Sequence, residues 1–278
     1  MRTVMRRYRV LPMLVASCWT TAAGEGAKRD NERNPWAGFP EGSWIVVEET
    51  GVRGSEKRET RTKLVLIKAV GEPSSDGSWS GEIAEFVQKN GEFPEKPKSH
   101  WVHVPGRDPE RTPGAKLVKT RTENVKVDGV AHACEVKEYI VSVPAKGIEL
   151  TLVLWRRNGF DVPYREMQLT NSPDIAMGAD VLRAQCTVKR AGSIETVSWQ
   201  VQSLKDQQTV GGQLLACVRE EAHMVEKAGG KTSRASARRW LSEKVPGHEV
   251  RVEEHGEIQG QKAKRIRQVT EFWVPSSK

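Results

Sequence analysis

Two stretches of this chain match each other at a constant separation of 83 residues, and that internal likeness limits the fold more than composition does. Val127-Asp128-Gly129-Val130-Ala131-His132-Ala133-Cys134 aligns with Val210-Gly211-Gly212-Gln213-Leu214-Leu215-Ala216-Cys217, keeping Val, Gly, Ala and Cys in place. A Trp follows each Cys, Trp155 and Trp240, after a two-residue slip of the kind a hairpin-loop insertion leaves. Val162-Pro163 then meets Val245-Pro246, Glu166 to Leu169 meets Glu249 to Val252 in polarity, and Gln185 and Thr187 meet Gln268 and Thr270, again 83 apart. A fainter echo at 206 relates Phe39-Pro40, Glu48, Gly54 and Arg61 to Val245-Pro246, Glu254, Gly260 and Arg267. The pattern predicts two copies of one unit, residues 115–190 and 191–278, behind an N-terminal β-region at 35–91.

The unit reads as strands. Ser43 to Val47 is a β-branched run after a Gly, and Arg58 to Val70 alternates Thr60, Thr62, Leu64 and Leu66 with charged neighbours, the mark of a strand with one buried face. Trp79 to Val87, Lys116 to Val127, Val130 to Val143 and Ile148 to Arg156 continue the meander. Asp128-Gly129 is a hairpin turn, since a tight turn matched to strand twist needs positive φ at both central residues. Gly211-Gly212 holds the equivalent place, Asn158-Gly159 predicts a further hairpin, and Ala191-Gly192 links the copies. Gln213 to Lys227 and Ser233 to Ser242 have helical propensity, yet their alignment with strands of the first copy assigns them as strands. Residues 92–114 hold five Pro and predict a long loop. The expected fold is all-β: curved antiparallel sheets, half-barrel-like, built from a duplicated β-meander.

The charge belongs in part to a leader. Lys and Arg number 44 against 36 Asp and Glu, but Arg2, Arg6, Arg7 and Arg9 precede the first acid, Glu25, so removal of residues 1–23 leaves only +4. An Arg-rich start, the apolar stretch Val10 to Ala23 and small residues before Gly24 follow the grammar of a signal peptide. Val15-Ala16-Ser17-Cys18 also resembles a lipobox, which makes Cys18 a lipidation candidate, and residues 24–34 read as a polar tether. Both signs of charge alternate along the rest, as in Glu56-Lys57-Arg58-Glu59, which argues against a nucleic-acid footprint. No apolar run approaches the ~18 residues of a spanning helix, so no membrane span is expected.

No Walker loop, G-x-S-x-G, H-E-x-x-H or G-x-G-x-x-G occurs. His100 and His103 lie in the Pro-rich segment and read as exposed loop residues. His132 and Cys134 would share a strand face, but Leu215 replaces the His in the second copy, so Cys134 and Cys217 read as core residues and no metal is expected. Cys134, Cys186 and Cys217 remain after the leader, and sequence leaves their pairing open. Trp155, Trp240 and Trp44 are the candidate ligand-binding residues, since large rings beside polar turns can line a groove. The six His are scattered and none recurs in the other copy, so the chain is expected not to be an enzyme and to need no cofactor.

Gly42-Ser43-Trp44, the two Gly-x4-Cys segments (Gly129 to Cys134 and Gly212 to Cys217) and Trp240 to Gly247 resemble uncharacterised exported bacterial β-sheet proteins. Their Trp…Pro hairpins are distantly similar to the lipoprotein-carrier half-barrel superfamily typified by LolA and LolB. That resemblance implies a curved sheet able to shelter an acyl chain, although fold alone does not confer function. The expectation is an exported protein, periplasmic or extracellular, that binds a lipid, another hydrophobic or extended ligand, or an envelope protein. The alternatives are a scaffold module without a small ligand and a hydrolase without motifs. Protein purified from its native host should have the mass of a chain starting at Gly24, or at an acylated Cys18; a chain retaining Met1 would refute export.

Overall fold

The computed structural model describes residues 36, 38–70, 79–104, 115–143, 147–160, 162–163, 165–167, 175–258 and 261–276. The leader, Cys18 and the 24–34 tether lie outside the described residues. These form β1 (Trp44–Arg53), β2 (Glu56–Val70), β3 (Trp79–Val87), β4 (Lys98–Val104), β5 (Ala115–Val127), β6 (Val130–Val143), β7 (Ile148–Arg156), β8 (Arg165–Met167), β9 (Ile175–Met177), β10 (Val181–Arg190), β11 (Ser193–Val210), β12 (Gln213–Ala228), β13 (Lys231–Leu241), β14 (Glu249–Ile258) and β15 (Gln261–Trp273). Among the described residues there is no helix. The two helix-compatible segments are strands β12 and β13, so cross-strand burial overrides their propensity.

Thirteen strands make one antiparallel sheet in the order β4-β3-β2-β1-β15-β14-β13-β12-β11-β10-β7-β6-β5, while β8 and β9 pair only with each other. Its two edges, β4 and β5, are consecutive in the chain. Laid flat at ~4.8 Å spacing, thirteen strands would part those edges by about 57 Å. The chain from Val104 to Ala115 reaches about 38 Å at full extension. The sheet must therefore curl, and it is an open, curved meander.

Bulges in β11 between Val201 and Asp206 bend the long β11–β12 hairpin. Two hairpin tips, those of β5–β6 and β11–β12, lie against later strands. Asp128 at the β5–β6 tip accepts from the Leu204 amide at 3.0 Å, its own amide donates to Gln202 O at 3.0 Å, and Gln200 Nε2 donates to Lys126 O at 3.1 Å. Gly211 at the β11–β12 tip lies so near β15 that a Cβ there would sit 3.7 Å from Thr270 O. Two cores result. One gathers Val127, Cys134, Val136, Leu154, Trp155 and Val201; the other gathers Val210, Leu215, Cys217, Trp240, Ile45 and Val269.

The two hairpins share a register. Glu123 faces Cys134 as Asp206 faces Cys217, and Val136 faces Trp155 as Arg219 faces Trp240. Beyond the Trp the 83-residue alignment fails. Trp155 pairs with Arg183 and Trp240 with Arg251, so β10 answers to β14 at a spacing of 68, and Gln185 and Thr187 have no partners in Gln268 and Thr270. The cause is length: 24 residues, including β8 and β9, join β7 to β10, whereas seven join β13 to β14. Asn158-Gly159 accordingly turns into this connection and not into a hairpin. The echo at 206 also misses by one, since Arg53–Glu56 and Ile258–Gln261 close their hairpins 205 apart, and a one-residue slip exchanges faces. The segment read as a loop at 92–114 contains edge strand β4, which pairs with β3 through residues 98–104.

In the β13–β14 turn, Gly247 has φ +83° and the Trp36 ring lies 3.4 Å from where a Cβ would be, so a side chain there would be strained. The next residue, His248, is buried, with φ +56°, its ring edge-on to Phe39 at 6.1 Å. Its Nδ1 has no hydrogen-bond partner, and burial pushes its pKa down to about 4. The fold thus holds the neutral ring. Stability should be complete above pH 6.5 and fall between 6.5 and about 4, by about 3 kcal/mol for this group. His248→Asn, which tolerates positive φ without titrating, should flatten that window in denaturant midpoints measured against pH.

Candidate binding cleft

The register across β11–β15 puts three rows of side chains on one face. Trp199, Ala222, Ala237, Glu254 and Arg265 form one row; Val197, Met224, Ala235, Gly256 and Ala263 form the second. Val201, Glu220, Arg239, Val252, Arg267 and Glu49 form the third. Ala and Gly in the middle of two rows leave a trough between large side chains, and the space opens as a cleft of ≈ 110 Å³. A Cβ on Gly256 would meet Ala235 Cβ at 3.3 Å, so β13 and β14 pack closely there.

Its two ends differ. On β11 and β12 the lining is Val197, Trp199, Ala222, His223 and Met224, of which Val197 and Trp199 belong to the first core and Ala222 and Met224 pack against it. On β13–β15 Ala235, Ser236, Ala237 and Val252 are joined by Arg239, Arg265, Arg267, Glu249 and Glu254. Arg239 Nε meets Glu220 Oε1 at 3.1 Å, and Glu220 is fully buried. Arg265 bridges Glu49 at 2.9 Å and Glu254 at 3.4 Å, and Arg267 pairs with Glu249. Burial pushes the Arg267 guanidinium down to about 10, still charged at neutral pH. Each of these carboxylates is held by a guanidinium, and His223 and Ser236, a cross-strand pair, also line the cleft.

The sequence-predicted residues are elsewhere and apart. Trp155 is buried in the first core, where its Nε1 donates to Glu123 Oε2 at 2.8 Å and Arg183 stacks 4.5 Å from the ring centroid. Hydrogen bonds from Arg121 and then Trp155 hold Glu123 below the usual carboxylate range. Trp240 is buried in the second core, its Nε1 donating to Asp206 Oδ2 at 3.2 Å, with Arg251 5.6 Å from the centroid. Trp44 is half-buried on β1 beneath Lys63 Nζ at 4.3 Å. The Trp that lines the cleft is Trp199, whose only sequence signal is the alternation Val197, Trp199, Val201.

Cys134, Cys186 and Cys217 are free and buried, with no bridge between Cys134 and Cys217, which sit in different cores. Burial raises all three, Cys186 to about 12 and Cys217 to about 11, so they are protonated at neutral pH. His100 is half-buried on β4, the strand that also contains His103, and His132 stands edge-on to Phe160 at 5.0 Å. Among the described residues no three His, Cys, Asp or Glu converge as metal ligands, and no helix is long and apolar enough to cross a membrane.

Removing one member of the Glu220–Arg239 pair should cost more than removing both. Arg239→Ala strands a buried carboxylate and should destabilise by about 3 kcal/mol, whereas Glu220→Leu with Arg239→Met should be near neutral. Urea unfolding of the three proteins measures the difference.

No family model matches the chain, and no curated protein does. Two solved structures align with the chain over most of its length. A candidate lipoprotein from Parabacteroides distasonis ATCC 8503 aligns with TM-score 0.37 at 7% identity, covering 84% of this chain and 96% of its own. A candidate exported protein with a YmcC-like fold from Bacteroides fragilis NCTC 9343 aligns with TM-score 0.33 at 7% identity, covering 84% and 97%.

Proposed function

We propose that this chain is an exported, non-enzymatic envelope protein that holds an amphipathic or extended ligand in the β11–β15 cleft. The observation that carries the reading is the polarity of the trough, which runs from Trp199 and Met224 past Ala222, Ala235 and Ala237 to Arg265 and Arg267. An apolar segment would lie on the small side chains, and guanidinium N–H groups at the far end offer donors to a polar group. Export rests on the Arg-rich and apolar N-terminus. The non-enzymatic reading is supported by carboxylates tied to arginines and by thiols kept protonated by burial.

Binding of an environment-sensitive fluorescent acyl probe tests the site. Ala222→Trp and Ala237→Trp fill the trough and should each weaken binding at least about tenfold, or ~1.4 kcal/mol, with the circular dichroism spectrum unchanged. A parent that takes up no probe, or variants that bind as the parent does, would overturn the reading.

A further inference from the structure

We propose that the segment preceding β1, residues 36 and 38–43, is a strap that acid releases from the β13–β14 turn, with His248 as the group that takes up the proton. Trp36 is 7% exposed and belongs to the second core, where its ring stands 3.4 Å from the position a Gly247 Cβ would take. Phe39 packs against the same core and meets the His248 ring edge-on, with the centroids 6.1 Å apart. His248 is 5% exposed, and its Nδ1 has no hydrogen-bond partner. The imidazole is thus closed off from water where strap and turn meet.

A neutral ring tolerates that place and an imidazolium does not. Protonation puts an N–H on both ring nitrogens, and Nδ1 has no acceptor there. A buried charge without a counter-ion must reach water or lose its proton. The charged groups on the elements that meet the ring are engaged elsewhere or solvated. Glu41 of the strap accepts from the Ala69 amide at 3.2 Å, Glu249 beside His248 pairs with Arg267 of β15, and Glu243 and Lys244 of the turn are exposed. None of them acts as a counter-ion, since burial is the sole cause of the low His248 pKa.

Of the two elements, the strap is the one built to yield. The turn is laced by His248 N to Val245 O at 2.8 Å, Ser242 N to His248 O at 2.8 Å and Val245 N to Ser242 O at 3.3 Å, and Val245 and Val250 are buried on either side of it. In the strap, the Phe39 amide donates to Trp36 O and the Ser43 amide to Pro40 O, both at 3.1 Å and both within the strap. Its fixed end is Gly42–Ser43, where Gly42 N donates to Leu66 O at 2.7 Å and Leu66 N to Ser43 O at 2.9 Å. Gly42, with φ +87°, supplies a hinge there. Rotation at the hinge swings Trp36 and Phe39 out while β1 stays paired, and it adds residues 36–41 to the chain ahead of the sheet, about 20 Å of reach. The sign follows from the ring: an exposed imidazole takes a proton below 6.5, the closed one only near about 4, so acid favours the open strap by about a hundredfold across that window.

Residue-by-residue hydrogen exchange on the full chain, at neutral pH and at about pH 4, tests the strap. The Phe39 amide should exchange through a smaller opening than the β12 amides do, and its protection, corrected for the intrinsic rate, should fall about a hundredfold in acid. His248→Asn should hold that protection nearly constant between the two conditions. Trp36→Ala loosens the strap and should raise the His248 midpoint toward 6.5 by about one pH unit, a tenfold change in proton affinity, read from the imidazole Cε1 resonance. That second variant keeps the test open should the Asn protein fail to fold. Four results overturn the proposal: a Phe39 amide that exchanges only when β12 does, protection that is the same at both pH values, an acid loss that His248→Asn shares, or a His248 midpoint that Trp36→Ala leaves where it was.

Discussion

A buried indole N–H facing a carboxylate holds each half of this sheet in its curl. Trp155 donates to Glu123 and Trp240 to Asp206, and in both places the carboxylate sits on the first strand of a long hairpin, opposite a buried Cys. A buried N–H without an acceptor costs about 1–3 kcal/mol. The Trp can enter the core only where the hairpin brings its acid alongside, so the clip couples packing to the bend of the hairpin. Arginines over the rings, Arg183 at Trp155 and Arg251 at Trp240, complete the same arrangement. With both tips folded back, the β4 and β5 edges come within reach of the link between them.

The cleft is a consequence of that curl. Once β11 commits Val197, Trp199 and Val201 to the first core, the register carries the same face across β12–β15, where Ala and Gly replace large side chains. The third row answers with ion pairs. Buried pairs of this kind contribute little net stability, because desolvation offsets the attraction. Their effect is geometric: Glu220 fixes Arg239, and Glu49 and Glu254 fix Arg265, so the polar end of the trough keeps its shape.

Much of the architecture was legible in the residues. Period-two alternation predicted β2, β5, β6 and β7, Asp128-Gly129 and Gly211-Gly212 marked their turns, and the Cys-centred match assigned β12 and β13 as strands against their helical composition. β4 was hidden because Pro94 and Pro97 sit just before it and because an edge strand tolerates such neighbours. The alignment beyond Trp155 went astray because the β8–β9 connection displaces every later residue, which spacing alone cannot reveal. The site was less legible. Trp155 and Trp240 were conspicuous because they recur, and recurrence here marks a core clip. Nothing in the sequence marked Arg265 and Arg267 as site residues. Only cross-strand pairing shows that they meet Glu49, Glu249 and Glu254, one of them 216 residues away.

The central claim is that the ligand lies in the trough between the two cores and not at the repeated tryptophans. Amide chemical-shift mapping during titration with a long-chain amphiphile, below its micelle concentration, tests it most directly. The account predicts saturable shifts clustered at residues 197–199, 222–224, 235–239 and 265–267. Shifts centred on Trp155, Trp240 and their hairpin tips, with the trough silent, would contradict it.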